Sequence, residues 1–300
     1  MTQSDVVVGR EESAPHAPAA AEPVVHRVRA TRSVLVYLSY AWLIAVIALA
    51  AVADLLPLAS YATPVGTPRY APQWGSWNLL LGTDTQGRSI LSRCIHGAQV
   101  SLLVGTVAGL VGAVIGSVLG MLGGYFGKRL DSVVRLLADA MLAFPPLILL
   151  LALASILTPS VRTLLVGLTL VIIPSFIRLA RANTLTWSAR EFVLAARNMG
   201  AGHRRILAKE ILPNVLPTLG AYLPIVMAAL IVAEGSLSFL GLGIPPPTPS
   251  WGGMISDGKD AIADSPHVVF VPSLVIFLTV FALNQVGDHL RHRFDRTMHD

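Results

Sequence analysis

The stretch REFVLAARNMGAGHRRILAKEILPNVLP, residues 190–217, breaks a chain that is otherwise mostly apolar, and it gathers Arg190, Arg197, Arg204, Arg205 and Lys209 with Glu191 and Glu210. On a helix, Phe192, Ala195, Ala196, Met199 and Ile206 fall to one side, and Arg190, Arg197, Ala201, Arg205 and Lys209 fall to the other. The spacing predicts a short amphipathic helix. Gly200 and Gly202 offer left-handed backbone to end it, after which the chain restarts and meets Pro213 at the mouth of an apolar segment. A helix–turn–helix along a membrane surface is the expectation. One reading rests this helix on anionic lipid. The other seats it in a protein cleft, because Ala195, Ala196 and Gly200 are small where a lipid anchor favours Trp, Phe and Leu.

The rest of the chain supports a membrane setting. Of its 300 residues 54% are hydrophobic and 13% charged, well below the roughly 25% charge of soluble domains. The net charge of +5 does not indicate nucleic acid, since Lys and Arg lie between apolar runs rather than on one soluble face. A single cysteine, Cys94, excludes an internal disulfide and any multi-cysteine metal site, and no metal ligation is expected. Residues 1–32 are expected to be a disordered tail, rich in Ala, Pro, Glu and Ser towards its start. A cleavable signal fits poorly, because the apolar run from Val34 to Leu58 is too long for its core and follows an acidic leader.

Crossing about 30 Å of hydrocarbon takes about 20 apolar residues in a helix. Six segments satisfy this, roughly 34–56, 100–124, 133–157, 163–181, 214–238 and 268–290. The expected fold is therefore an all-α polytopic membrane protein of six transmembrane helices. Pro145, Pro146, Pro174, Pro217 and Pro224 predict kinks within them. The expected divisions are a first helix and long outer loop over 33–98, a five-helix core over 99–291, and a tail over 292–300. With both termini on the inner side, that side holds seventeen of the 22 Lys and Arg residues, so the excess of positive charge predicts a cytoplasmic N-terminus, C-terminus and 190–217 stretch.

Ionisable residues inside spans are the natural functional candidates. Arg135 and Asp139 stand four apart, which suits either a mutual ion pair or a gate. Glu234 lies about a turn from the end of the fifth span, where it either lines a pathway or is satisfied by Ser236, Ser238 or an outer-loop arginine. GGYFGKR (123–129) is no phosphate loop, since Leu122 and Arg129 stand where Gly and Ser or Thr are needed. No catalytic residue is expected. The serines of GSLS (235–238) have no histidine deep in a span to act as base. An ion-coupled secondary transporter is the alternative of another class, but it normally carries an internal repeat, and none is evident.

Ala195-Ala196 followed by Gly200 and, further on, E-I-L-P ending at Pro213 resembles the EAA loop of ATP-binding-cassette importer permeases. LGTDTQGRSILSR (81–93), GYFGKRLDS (124–132), LAFPP (142–146), AEGSLSFLGLGIPPPTPSWG (233–252) and NQVGDHLRHRFD (284–295) resemble, more narrowly, the C-type permease subunit of dipeptide, oligopeptide and nickel importers. The resemblance covers the chain from about residue 30 onward. It implies one half of a pore in the cytoplasmic membrane, working with a homologous B-type permease subunit, two cytoplasmic ABC ATPase subunits and an extracytoplasmic substrate-binding protein. ATP and Mg²⁺ would bind the ATPases, and this chain would bind no cofactor. The docking loop, about 190–213, would present Ala195, Ala196 and Gly200, with Pro213 at its end. Leu194 stands where the family usually has the glutamate of EAA, and Glu191, one turn earlier, is the candidate replacement. Dipeptides, longer peptides, glutathione-like peptides and nickel all remain open as substrates. The long outer loops, with Trp74, Trp77 and GIPPPTPSWGG (243–253), suit the membrane interface and the docking of a substrate-delivering protein.

Overall fold

The structure, a computed structural model, describes residues 25–297. In chain order the helices are α1 (Val25–Ala51), α2 (Ile90–Phe126), α3 (Lys128–Leu142), α4 (Pro146–Ile156), α5 (Val161–Ser188), α6 (Glu191–Asn198), α7 (His203–Arg205), α8 (Leu212–Phe239), α9 (Trp251–Gly258) and α10 (His267–Thr297). Among the described residues, extended backbone pairs only in two isolated bridges, Pro64 with Arg88 and Thr83 with Ser89. The fold is all-α. Five helical runs are long and apolar enough to cross a membrane, and α3 with α4 makes a sixth when the bent pair counts as one span.

That bent pair corrects the expected straight span over 133–157. Its two helices meet at 79°. Pro145 and Pro146 withhold two backbone N–H groups in succession, and each biases the residue before it towards extended backbone, as Pro145 shows at φ −55°, ψ 129°. The eleven residues of α4 reach only about 16 Å, short of a full crossing. Other limits also shift. The first helix ends at Ala51 rather than near 56, and α2 starts at Ile90 inside the expected outer loop. Helix begins at Val25, within the expected tail, and α10 continues past 291 to Thr297. The remainder of the expected disordered tail, 1–24, lies outside the described residues.

The centre of the bundle is the contact between α2 and α5, along which α2 places Gly112, Gly116, Gly120 and Gly124. A Cβ on Gly116 would stand 2.6 Å from both the Ile173 carbonyl oxygen and Phe176 Cβ, and one on Gly124 would stand 2.9 Å from the Arg181 carbonyl oxygen. Only glycine allows the two backbones to touch along four turns. The buried Phe176, Leu168 and Ala180 of α5 then join Val104 and Ala108 of α2 and Val215 and Leu219 of α8 in one core. Val193, Ile206 and Ile211, from the charged stretch, belong to the same core.

Gly116→Val should force the two helices apart or strain the branched side chain, costing about 1–3 kcal/mol. The expected result is a lower thermal midpoint in detergent, while the same substitution at Gly220, whose Cβ would meet nothing within 4 Å, should be far milder.

Candidate functional site

The charged stretch folds as a short helix seated on one face and open on the other. Val193 and Ala196, three residues apart, are buried, whereas Glu191, Leu194, Ala195 and Asn198 share the exposed side. Leu194 is 45% exposed and Met199 at the tip is 81% exposed. The expected apolar side is thus rotated: Ala196 faces the core, and Phe192, Ala195 and Met199 do not. The core below accepts one ridge, and Val193 with Ala196 fills it beside Ile206 and Ile211.

The end of α6 explains Gly200. The Ala201 N–H donates to the Ala196 carbonyl and the Gly200 N–H to the Arg197 carbonyl, both at 3.0 Å, with Gly200 at φ +82°. This is the paired closure that needs a left-handed residue. Gly202, expected to share that role, is extended at φ −69°, ψ 154°. Beyond it the chain does not restart as a separate helix. His203 to Phe239 runs as one apolar helical stretch, interrupted by a π turn over Ile206–Ile211 in which the Leu212 N–H reaches back to the Leu207 carbonyl. Pro213, in the first turn of α8, has no N–H and crowds the carbonyl four residues back, and a widened turn relieves both.

The charged pairs on α3 differ from the expected mutual bond. Arg135 approaches Asp131 at 3.5 Å, and Asp139 instead accepts from Arg178 at 2.8 Å. Arg181 makes a two-pronged contact with Asp131. Because α5 runs antiparallel beside α3, it offers Arg181 and Arg178 to the two aspartates in turn. Arg135 and Asp139 are both more than half exposed. Glu234 is 0% exposed and, among the described residues, its close partners are hydroxyls rather than cations. Ser238 and Ser250 each donate to its Oε1 at 2.8 Å, and Ser101 donates to Oε2 at 3.3 Å. It therefore ties α8 to α2 and to the start of α9, as the serine alternative expected, although Ser236 turns to the Val232 carbonyl.

The α9 end carries an ion cluster built on the LGTDTQGRS turn. Asp84 holds the Gln86 and Arg88 N–H groups at 2.8 and 2.9 Å, and its other oxygen stands 2.6 Å from Arg88 Nε and 3.3 Å from Arg93 Nε. Asp257 of α9 faces the same arginines at 3.7 and 3.4 Å. Two anions thus face two cations, all but Asp257 nearly fully buried. Burial pushes the Asp257 carboxyl above its ordinary range, against the opposing pull of Arg93 and Arg88. Trp251, itself buried, donates from its indole to the Cys94 carbonyl at 2.9 Å. The loop is therefore a fitted cover over α2 and α9, with Trp74 left 94% exposed on it. The LGTDTQGRS spacing was the available signal: an aspartate four residues before an arginine across a Gly turn.

Residues 112–300 match the profile of the family described as binding-protein-dependent transport system inner membrane component. The chain is 38% identical over 227 residues to the di/tripeptide transport system permease protein DppC of Pseudomonas aeruginosa, covering 75% of each. It is 39% identical over 214 residues to the glutathione transport system permease protein GsiD of Escherichia coli, covering 71% of each. With the dipeptide permease DppC of Alkalihalophilus pseudofirmus the identity is 35% over 84% of this chain and 82% of that one. Among solved structures, an inward-facing MetNI methionine ABC transporter resembles it at a TM-score of 0.57 and 20% identity, covering 67% of this chain and 96% of that one. That last likeness is one of fold.

Asp84→Asn should leave two buried guanidinium groups short of their closest anion and cost roughly 3–5 kcal/mol. Asp257→Asn, at a half-exposed and more distant carboxyl, should cost about 1 kcal/mol or less. Thermal unfolding of both variants in detergent checks this order.

Proposed function

From the premise that this chain belongs to the binding-protein-dependent transport system inner membrane component family, and so is a non-catalytic, multi-pass permease subunit of an ABC importer, we propose that it carries peptides inward and takes its drive through α6. The observation that carries the reading is the division of α6: Val193 and Ala196 are seated in the bundle, while Glu191, Leu194, Ala195 and Gly200 lie uncovered on the far side. A helix that only rested on lipid would turn its apolar residues outward and charge towards water. Here small Ala195 and charged Glu191 and Arg197 are exposed together with Leu194, so no apolar stripe is turned to lipid, and the mixed face suits a cleft on a cytoplasmic ATPase. The missing glutamate at Leu194 fits the same face, since Glu191 lies one turn earlier on it.

ATP and Mg²⁺ belong to two ATPase partners in this reading. Their closure moves the docked α6 segments, and the bundle passes from an inward-open to an outward-open arrangement. A homologous B-type permease completes the pore, and an extracytoplasmic binding protein delivers substrate to the α9 end. Dipeptides are the first substrate class to test, because two of the relatives are named for di- or tripeptide transport, and glutathione is the second. Longer peptides and nickel follow. The cytoplasmic placement of α6 and of both termini rests on the positive-charge excess.

Ala195→Arg leaves helix propensity close to that of alanine at an exposed site, so the chain should fold and pair with the other permease while the ATPases no longer co-purify and uptake is lost. Gly200→Asn, which tolerates the left-handed backbone, should behave alike, and Gly200→Val should add about 1–2 kcal/mol of strain. Full coupling in Ala195→Arg at unchanged stability would return α6 to the lipid-resting role.

Orientation has its own test. In Cys94→Ser protein, a thiol at the exposed Ser76 should react with a membrane-impermeant maleimide in intact cells. Reaction only after permeabilisation would invert the topology.

A further inference from the structure

The far end of α2 meets the docking loop through a cluster apart from the ion pairs, built on Tyr125 at the edge of the core. Tyr125, in the last turn of α2, shares a hydrogen bond of 2.9 Å between its hydroxyl and His203 Nδ1. The two rings lie edge to face at 5.6 Å, and Phe126 packs against His203 in the same way at 5.5 Å. Arg197, on the last turn of α6, places its guanidinium 5.5 Å from the centre of the Tyr125 ring. Tyr125 therefore touches the chain on both sides of the Gly200 turn. It bridges α2 to the tip of the loop.

The other end of the same helix is held just as closely. Arg93 reaches Asp84 and Asp257, the Cys94 carbonyl accepts from Trp251, and Ser101 joins Glu234 and the Trp251 N–H. Between these ends α2 is 37 residues without a proline, about 55 Å of continuous helix, and its glycine face is clamped along α5. By contrast, the other connections from the loop to the α9 end are softer: α8 carries Pro217 and Pro224 after the π turn.

We propose that α2 is the rod that carries movement of the α6 loop to the α9 end, with Tyr125 as the positioning residue that engages it through His203 and Arg197. The proposal rests on α6 being the ATPase dock. It adds that docking alone is not sufficient: a loop that binds the ATPases but has lost its grip on α2 moves without shifting the α9 end.

The test uses the complete importer, with both permeases, the ATPases and the binding protein, in proteoliposomes. A Cys94→Ser, Ile262→Cys background places a reporter thiol at a half-exposed site just beyond α9, and its maleimide reaction rate is measured without nucleotide and after trapping with ATP and vanadate. The rate should change on trapping, and Tyr125→Phe should shrink that change by about two- to tenfold while the ATPases co-purify in normal amount. His203→Phe should match it, and the double variant should be no worse than either single one, as a shared bond requires. A reporter blind to nucleotide in the parent, an unchanged response in Tyr125→Phe, additive losses in the double variant, or loss of the ATPases in Tyr125→Phe would each overturn the proposal. Retention of the ATPases in Ala195→Arg would instead defeat the docking assignment itself, whatever Tyr125→Phe shows.

Discussion

Direct backbone contact between α2 and α5 is the constraint on which the other arrangements depend. In lipid there is little hydrophobic gain from bringing two apolar helices together, so association has to come from dispersion and close fit. Glycines at 112, 116, 120 and 124 allow that fit against Ile173, Phe176, Ile177 and Arg181. Once the two helices touch, the place where α5 ends is set, and only Ala189 and Arg190 separate it from α6. Helix α6 is thus held at its entry by the closely packed α2–α5 pair and at its exit by the buried Ile206 and Ile211.

Polar groups follow a simple division around this pair. Buried at the α9 end, Asp84 meets two arginines, Glu234 three hydroxyls and Trp251 a carbonyl. An unpaired charge or donor there would cost several kcal/mol. Between α3 and α5 the Arg178–Asp139 pair is largely exposed and contributes little to stability, whereas the two-pronged Arg181–Asp131 pair is mostly buried and ties the two helices together.

Much of this was legible in the residues. Segment lengths, the proline breaks and the motifs at 81–93, 124–132 and 233–252 were readable in order, because apolar length and turn chemistry are local properties. The glycine spacing on α2 was also present and marks a close helix contact, although its partner was not evident. Two local inferences failed. Arg135 and Asp139 have ideal spacing for a pair, yet Asp139 is drawn to Arg178 on another helix, and Arg135 turns to Asp131, the equally spaced aspartate on its other side. On α6, Ala195 and Ala196 are neighbours in sequence about 100° apart round the helix, and only the way α6 seats Val193 in the core decides which of them is covered.

The amino-acid sequence by itself determined the all-α membrane architecture, the family resemblance and the location of the charged 190–217 stretch, since each rests on composition or on spacing within one segment. Tertiary structure alone decided which face of α6 is open, that Glu234 is enclosed by serines from three segments, and that Tyr125 meets His203 across 78 residues of chain. Those outcomes depend on how α2, α5 and α8 converge. A contact between distant segments is set by the packing of everything that brings them together, and no single segment carries that information.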